Sequence, residues 1–139
     1  HTKNWFHDNT FVFILNGLIT LNFLLMPQII NVKNEIIRIN PENNTIEYSQ
    51  NGGRSWILRH SNSFCGIFYD LFLYGSEILA CTSKGLYYSS NEGRSWIIRY
   101  SGTICGTFQQ LSFDGKNLLA ITSKGLFYST NAGRSWIIR

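Results

Sequence analysis

From residue 34 onward, apolar residues alternate with polar ones in runs of four to six, and the runs are separated by Gly, Asn, Asp, Lys and Ser pairs. That period of two predicts strands, and no run keeps the 3.6-residue period of an amphipathic helix. In the last stretch, Gln110 to Phe113 reads as a strand, Asp114-Gly115 as a turn, and Asn117 to Thr122 as a second strand. Lys124-Gly125 then reads as a hairpin turn, Leu126 to Ser129 as a third strand and Ser135 to Arg139 as a fourth. A lone four-stranded sheet leaves an apolar side in water, so such units must stack.

The pattern recurs. The octapeptides Ser49 to Trp56 (SQNGGRSW), Ser89 to Trp96 (SSNEGRSW) and Ser129 to Trp136 (STNAGRSW) share one frame and place a Trp every 40 residues. Upstream, Ser76 to Ser89 matches Lys116 to Ser129, and Asn34 to Ser49 matches both once two extra turn residues are allowed. Four short strands per repeat of this length is the pattern of a β-propeller blade, which predicts an all-β chain with three blades over 34–139. Helical repeats would need long runs free of glycine and β-branched residues, and there are none.

The octapeptide resembles the Asp-box, or BNR repeat, with its pattern Ser-x-Asp-x-Gly-x-Thr-Trp. That repeat occurs in the propellers of sialidases, sortilin-type receptors, some glycoside hydrolases and photosystem-assembly-factor-like proteins. The matching positions are Ser49, Asn51, Gly53 and Trp56, then Ser89, Asn91, Gly93 and Trp96, then Ser129, Asn131, Gly133 and Trp136. Two departures are uniform: Asn stands for the Asp, and Ser55, Ser95 and Ser135 stand for the Thr. An Asn carbonyl oxygen caps a turn much as a carboxylate does, so the geometry is kept. The resemblance implies that these boxes hold the fold together on the outer rim, with the Trp packed between sheets and the Gly in a conformation other residues tolerate poorly. It also leans towards a secreted or cell-surface protein.

Ahead of the repeats, Phe11 to Met26 carries no formal charge. Asn16, Gly17, Thr20 and Asn22 interrupt it and Pro27 follows, while Asn16-Gly17 between two apolar runs is a hairpin signal. The expected organisation is therefore a segment 1–33, holding a degenerate partial blade and the first strand of blade 1, followed by three blades over 34–139. No membrane span is expected. Three blades and a fragment do not close a ring. The fold is expected to be an incomplete propeller, completed by a homo-oligomer or by the remainder of a longer propeller.

Composition narrows the function. Apolar residues make up 44%, aromatics 15% and charged residues only 14%, which excludes a disordered chain. Twelve Lys and Arg against eight Asp and Glu give a formal charge of +4, a mild bias that does not imply a nucleic-acid partner. Arg59, Arg99 and Arg139, each three residues after a Trp, fit blade-bridging better than a phosphate-binding stripe. Cys65, Cys81 and Cys105 lack any CxxC or ligand spacing, so no metal is expected, and Cys65 and Cys105 read as buried small residues. No cofactor is expected, because every Gly belongs to a turn or a box.

Ligands of propellers meet the loops leading into the innermost strands and those linking second to third strands. Here these are His60 to Tyr69, Tyr100 to Gln109 and the turns at 40–44, 83–85 and 123–125. They supply His60, Tyr69, Lys84, Tyr100, Gln109 and Lys124 as candidate ligand-binding residues. Flat rings and amides suit a glycan or a peptide; Phe68 and Phe108, in matching register, read as core. A sialidase-like mechanism would need three clustered arginines, a Tyr with a Glu partner and an acid/base Asp. Arg38-Ile39-Asn40-Pro41 is only a faint echo of the Arg-Ile-Pro segment, and the other arginines of the repeats recur identically from copy to copy. A Cys–His nucleophile fails because only Cys65 has a nearby His, Tyr100 taking that place before Cys105. No catalytic residue is assigned. The expectation is a non-catalytic binding or assembly scaffold for a protein or glycan, the alternative being a fragment of a sialidase-like glycoside hydrolase.

Overall fold

The computed structural model describes residues 29–139. The hairpin expected over 11–26 lies outside them.

Twelve strands form three four-stranded antiparallel sheets, each a simple meander. Blade 1 holds β1 (Ile29–Val32), β2 (Glu35–Asn40), β3 (Thr45–Ser49) and β4 (Ile57–His60). Blade 2 holds β5 (Phe68–Tyr74), β6 (Glu77–Thr82), β7 (Gly85–Ser89) and β8 (Ile97–Tyr100). Blade 3 holds β9 (Phe108–Phe113), β10 (Leu118–Thr122), β11 (Gly125–Ser129) and β12 (Ile137–Ile138). The single described helical element is a 3₁₀ turn at Ser63–Cys65 between blades 1 and 2. Among the described residues no helix is long and apolar enough to cross a membrane, and no cluster of metal-ligating side chains occurs.

The antiparallel order gives each blade two ends. The first-to-second turns and the boxes, which link third to fourth strands, lie at one end. The second-to-third hairpins and the blade-to-blade loops lie at the other. The hairpin turns are tied by a threonine: Thr82 Oγ1 donates to the Gly85 carbonyl at 3.0 Å and accepts from the Lys84 amide at 3.0 Å, and Thr122 repeats this with Gly125 and Lys124.

Neighbouring blades stack through their sheet faces. Ile37, Ile39 and Ile46 of blade 1 pack on Phe68, Leu71, Ile78, Ala80, Tyr87 and Trp96 of blade 2. One unit further, Leu79, Cys81 and Leu86 of blade 2 pack on Cys105, Phe108, Leu111, Leu118, Ala120 and Phe127 of blade 3, with Trp136 alongside. The two cores are the same interface made twice, because register-matched positions fill it each time. Each blade therefore has an upstream face, bearing the Trp, and a downstream face of three aliphatic or Cys side chains.

Candidate functional site

The boxes are hydrogen-bonded clusters of one design. Ser49 Oγ donates to Asn51 Oδ1 at 2.8 Å and accepts from the Gly53 amide at 2.9 Å, while Asn51 Oδ1 accepts from the Ser55 amide and Nδ2 donates to Ser55 Oγ. Ser89 and Asn91, and Ser129 and Asn131, repeat every bond within about 0.1 Å. The Asn uses both ends of its amide, which explains why it travels with a Ser hydroxyl. Gly93 and Gly133 sit at φ 88° and 89° beside the rings of Trp96 and Trp136, where a side chain would be strained, and at Gly133 it would also run into Leu86 of the preceding blade. Ser89→Ala removes the acceptor of the buried Gly93 amide and is expected to lower stability by about 2 kcal/mol, read from the urea midpoint.

The repeated arginines are structural. Arg59 and Arg99 are the extra residues of β-bulges, since His60 and Leu58 pair with adjacent residues of β3, and Tyr100 and Ile98 with adjacent residues of β7. The bulge turns each guanidinium inward, leaving its side chain 3% exposed. Arg59 grips Glu35 with both nitrogens at 2.6 and 2.9 Å, stacks on Tyr48, and donates to the Glu92 carbonyl in the next blade's box at 3.0 Å. Arg99 donates to both Glu77 oxygens from Nη2 at 2.9 Å, stacks on Tyr88, and donates to the Ala132 carbonyl from Nη1 at 2.7 Å. Glu92 and Ala132 lie in the left-handed region at φ 60° and 63°, at the head of the box. The hydrogen bond from Arg59 holds the Glu35 carboxyl below its usual pKa and outweighs its desolvation.

At the opposite end the candidate ligand residues divide into two sets. His60 and Tyr100, at matching positions, are half-buried against the following blade. His60 meets Phe68 and Trp96 edge-on, and Tyr100 meets Phe108 edge-on with its hydroxyl 3.7 Å from Cys105 Sγ. Phe68 and Phe108 are buried. Tyr69, Gln109, Lys84 and Lys124 are all exposed. Tyr69 and Gln109 are also bulge residues: Phe68 and Asp70 pair with neighbours in β6, Phe108 and Gln110 with neighbours in β10, and the residue between them is pushed out of the ladder.

Around these lie apolar loop tips that sequence reading missed. Phe64 is 66% exposed and Ile104 77%, with Ile67 also exposed. Asn62 caps the 3₁₀ turn by accepting from the Phe64 amide at 2.7 Å, which projects the ring outward. The loops are held rigidly, as Ile67 exchanges two hydrogen bonds with Ser83 at 2.9 Å and Thr107 exchanges two with Ser123 at 2.8 and 3.0 Å. The available signal was a large apolar residue flanked by Ser, Asn and Gly, where a core position would sit in a strand. This end of the blades thus offers exposed aliphatic and aromatic tips, two bulged inner-strand residues and two lysines on a preformed frame.

One carboxylate is anomalous. Asp70 on β5 is 4% exposed, and its Oδ2 accepts from the Leu111 amide of blade 3 at 2.9 Å. Burial pushes its pKa up to about 7, partly offset by the Leu111 and Leu71 amides. Cys81 and Cys65 are buried thiols with raised pKa values, the opposite of a reactive thiolate.

The stacked four-stranded meanders, each fourth strand leading into the first strand of the next sheet, define a stretch of β-propeller. Solved structures agree on the fold. YCF48 bound to D1 peptide matches with a TM-score of 0.58 at 19% identity, over 76% of this chain and 37% of that one. YCF48 from Cyanidioschyzon merolae matches at 0.56 and 18% identity, over 75% and 32%. An ancestral GH74 enzyme matches at 0.60 and 17% identity, over 79% and 17%. The chain therefore spans about a third of the YCF48 chains and a sixth of that enzyme. No family model matches the sequence, and no curated protein matches it.

Proposed function

We propose that the chain is a set of Asp-box (BNR) blades and serves as a non-catalytic scaffold that binds a protein partner through an extended peptide segment. The Asp-box assignment rests on the three Ser–Asn–Gly–Ser clusters and their common hydrogen bonds. The observation that carries the binding reading is the loop end, where Phe64, Ile67 and Ile104 stand out of rigid loops beside the bulged Tyr69 and Gln109. A preformed apolar surface binds a peptide without first losing loop entropy, and Lys84 and Lys124 favour one carrying acidic side chains. A similar fold is seen in YCF48 with a bound D1 peptide.

The carboxylates favour binding over hydrolysis. Glu35, Glu47, Glu77, Glu92 and Asp114 are each engaged by an arginine or lysine, and Asp70 is buried. Among the described residues this leaves Glu42, and glycoside hydrolysis needs a pair of carboxylates.

The test is an array of random 12-residue peptides and a glycan array, both probed with the full chain. Peptides rich in aromatic and acidic residues are expected to be retained, with affinity reduced about tenfold or more in Phe64→Ser/Lys84→Glu and unchanged in Arg134→Ala on the opposite end. Retention of glycans alone, or turnover of a fluorogenic glycoside, would refute the reading.

A further inference from the structure

The loops entering blades 2 and 3 have the same backbone, yet a side chain caps only the first of them. Gly66 and Gly106 lie in the left-handed region at φ 83° and 80°, and each amide donates to the carbonyl three residues back. Ile67 and Thr107 each exchange two hydrogen bonds with the serine of the following hairpin, Ser83 and Ser123. The next pairs along the ladder, Phe68 with Thr82 and Phe108 with Thr122, are therefore of the kind whose backbone groups face away from each other. The Phe68 amide points off the sheet edge, away from β6, and the Phe108 amide points in the same way away from β10.

At the joint between blades 1 and 2 these groups are taken up by Asn44. Its Oδ1 accepts from the Phe68 amide at 2.9 Å and its Nδ2 donates to the Gly66 carbonyl at 2.9 Å. Asn44 reaches them from the hairpin of blade 1, where four residues, 41–44, join β2 to β3. It stands at φ 55°, a conformation that Asn accepts more readily than most residues.

Blade 2 has no equivalent. Only Ser83 and Lys84 join β6 to β7, and Lys84 lies beside Gly66 instead of reaching the next loop. Among the described residues no side chain bonds the Gly106 carbonyl or the Phe108 amide. Ile104, Thr107 and Gln109 around them are exposed, so the two groups lie at the loop end already described.

The occupant of the first site defines the ligand of the second. A primary carboxamide carries an N–H on the same side as its C=O, so one group serves both the acceptor and the donor. A trans peptide group points its N–H and C=O in opposite directions and cannot bridge the two. A carboxylate has no donor for the Gly106 carbonyl, and an ammonium has no acceptor for the Phe108 amide.

We infer that the Gly106 carbonyl and the Phe108 amide form a receptor for one primary carboxamide, supplied by an Asn or Gln side chain of the bound peptide. The source of the carboxamide rests on the peptide-binding reading above; the receptor itself does not. The groups are held by the Ser123 bonds before any ligand arrives, so little ordering is needed on binding.

The test titrates propionamide into the full chain and follows backbone amides by NMR, with propionate as the control of matched shape. Propionamide is expected to shift the Phe108 amide in a saturable manner and to leave the Phe68 amide in place; propionate is expected to move neither. Asn44→Gly, which suits the left-handed backbone, is expected to make the Phe68 amide respond to propionamide as well. No saturable shift at Phe108 in the natural chain, or an equal one with propionate, would overturn the receptor whatever the variant does. A second arm takes peptides retained on the array and replaces each Asn or Gln by Asp or Glu. One such change is expected to weaken binding about tenfold and to release the Phe108 amide, because the Gly106 carbonyl then faces an oxygen. Retained peptides that bind equally well after every such change, with the Phe108 amide unmoved, would overturn the inference and leave the peptide reading standing. A Phe108 response to propionamide with no peptide retained would do the reverse, refuting the peptide reading and supporting the receptor.

Discussion

Trp96→Ala is expected to destabilise the chain by about 3–5 kcal/mol, and Trp56→Ala by only about 1 kcal/mol, although both residues close the same motif. Trp96 is 7% exposed within the core between blades 1 and 2, with the Phe68 ring 5.4 Å away and His60 6.4 Å away. Its removal leaves a cavity that backbone on both sides, fixed by ladders, cannot collapse to fill. Trp56 is half-buried on the upstream face of blade 1, where its described neighbour is the Arg38 guanidinium. The indole nitrogen of Trp96 has no partner among the described residues, whereas that of Trp136 donates to the Gly133 carbonyl at 3.0 Å. Trp96→Phe is therefore expected to be much milder than Trp96→Ala, since no hydrogen bond is lost with the nitrogen. Urea unfolding of the three variants checks the ranking. Equal losses at Trp56 and Trp96 would mean that the Trp acts within its own box and not as the joint between blades.

How far the sequence speaks depends on whether a feature is local. The strand order was legible because Gly, Asn and Lys turns punctuate a period-two pattern, and the three sheets follow it. Strand ends were less so. Gln110 to Phe113 was the expected span of β9, yet the strand begins at Phe108, because the bulge at Gln109 breaks the alternation that would have revealed it. Ser135 to Arg139 was expected as the fourth strand, but Ser135 and Trp136 belong to the box and only Ile137–Ile138 pair.

Of the candidate site, Tyr69, Gln109, Lys84 and Lys124 are exposed, while His60 and Tyr100 lean into the following blade, a fate set by the packing of Phe68 and Trp96 on His60 and of Phe108 on Tyr100. The contrast between Arg38–Glu47 and Ala80–Tyr87 was present in the repeat alignment. It acquires meaning only once the sheet register shows that Ala80 and Tyr87 face the preceding blade and that Arg38 and Glu47 hold the matching positions in blade 1.

Between about pH 5 and pH 8 the protein is expected to lose stability as pH rises, and Asp70→Asn is expected to remove most of that slope. The Asp70 carboxyl titrates near 7 in the folded chain against about 3.8 when unfolded, because burial disfavours its charge by more than the Leu111 and Leu71 amides favour it. A carboxyl with a raised folded pKa binds its proton more tightly when folded, so the folded state is favoured below that value and loses ground until pH passes it. At about 1.4 kcal/mol per unit, the upper bound on the change is about 4 kcal/mol. Glu35 and Asp114 work in the other direction. Their pKa values are lowered, by Arg59 in the first case and by the Asn117 amide, Arg139 and the Lys116 amide in the second, so their contributions are present above about pH 4 and vanish in acid. Maximal stability is thus expected near pH 5. Asparagine keeps an acceptor for the Leu111 amide but cannot ionise. The variant should match the natural sequence at pH 5 and exceed it by about 2 kcal/mol or more at pH 8 in urea titrations. A parallel pH profile in both proteins would place the Asp70 carboxylate in contact with solvent and dissolve the account of a desolvated joint between blades 2 and 3.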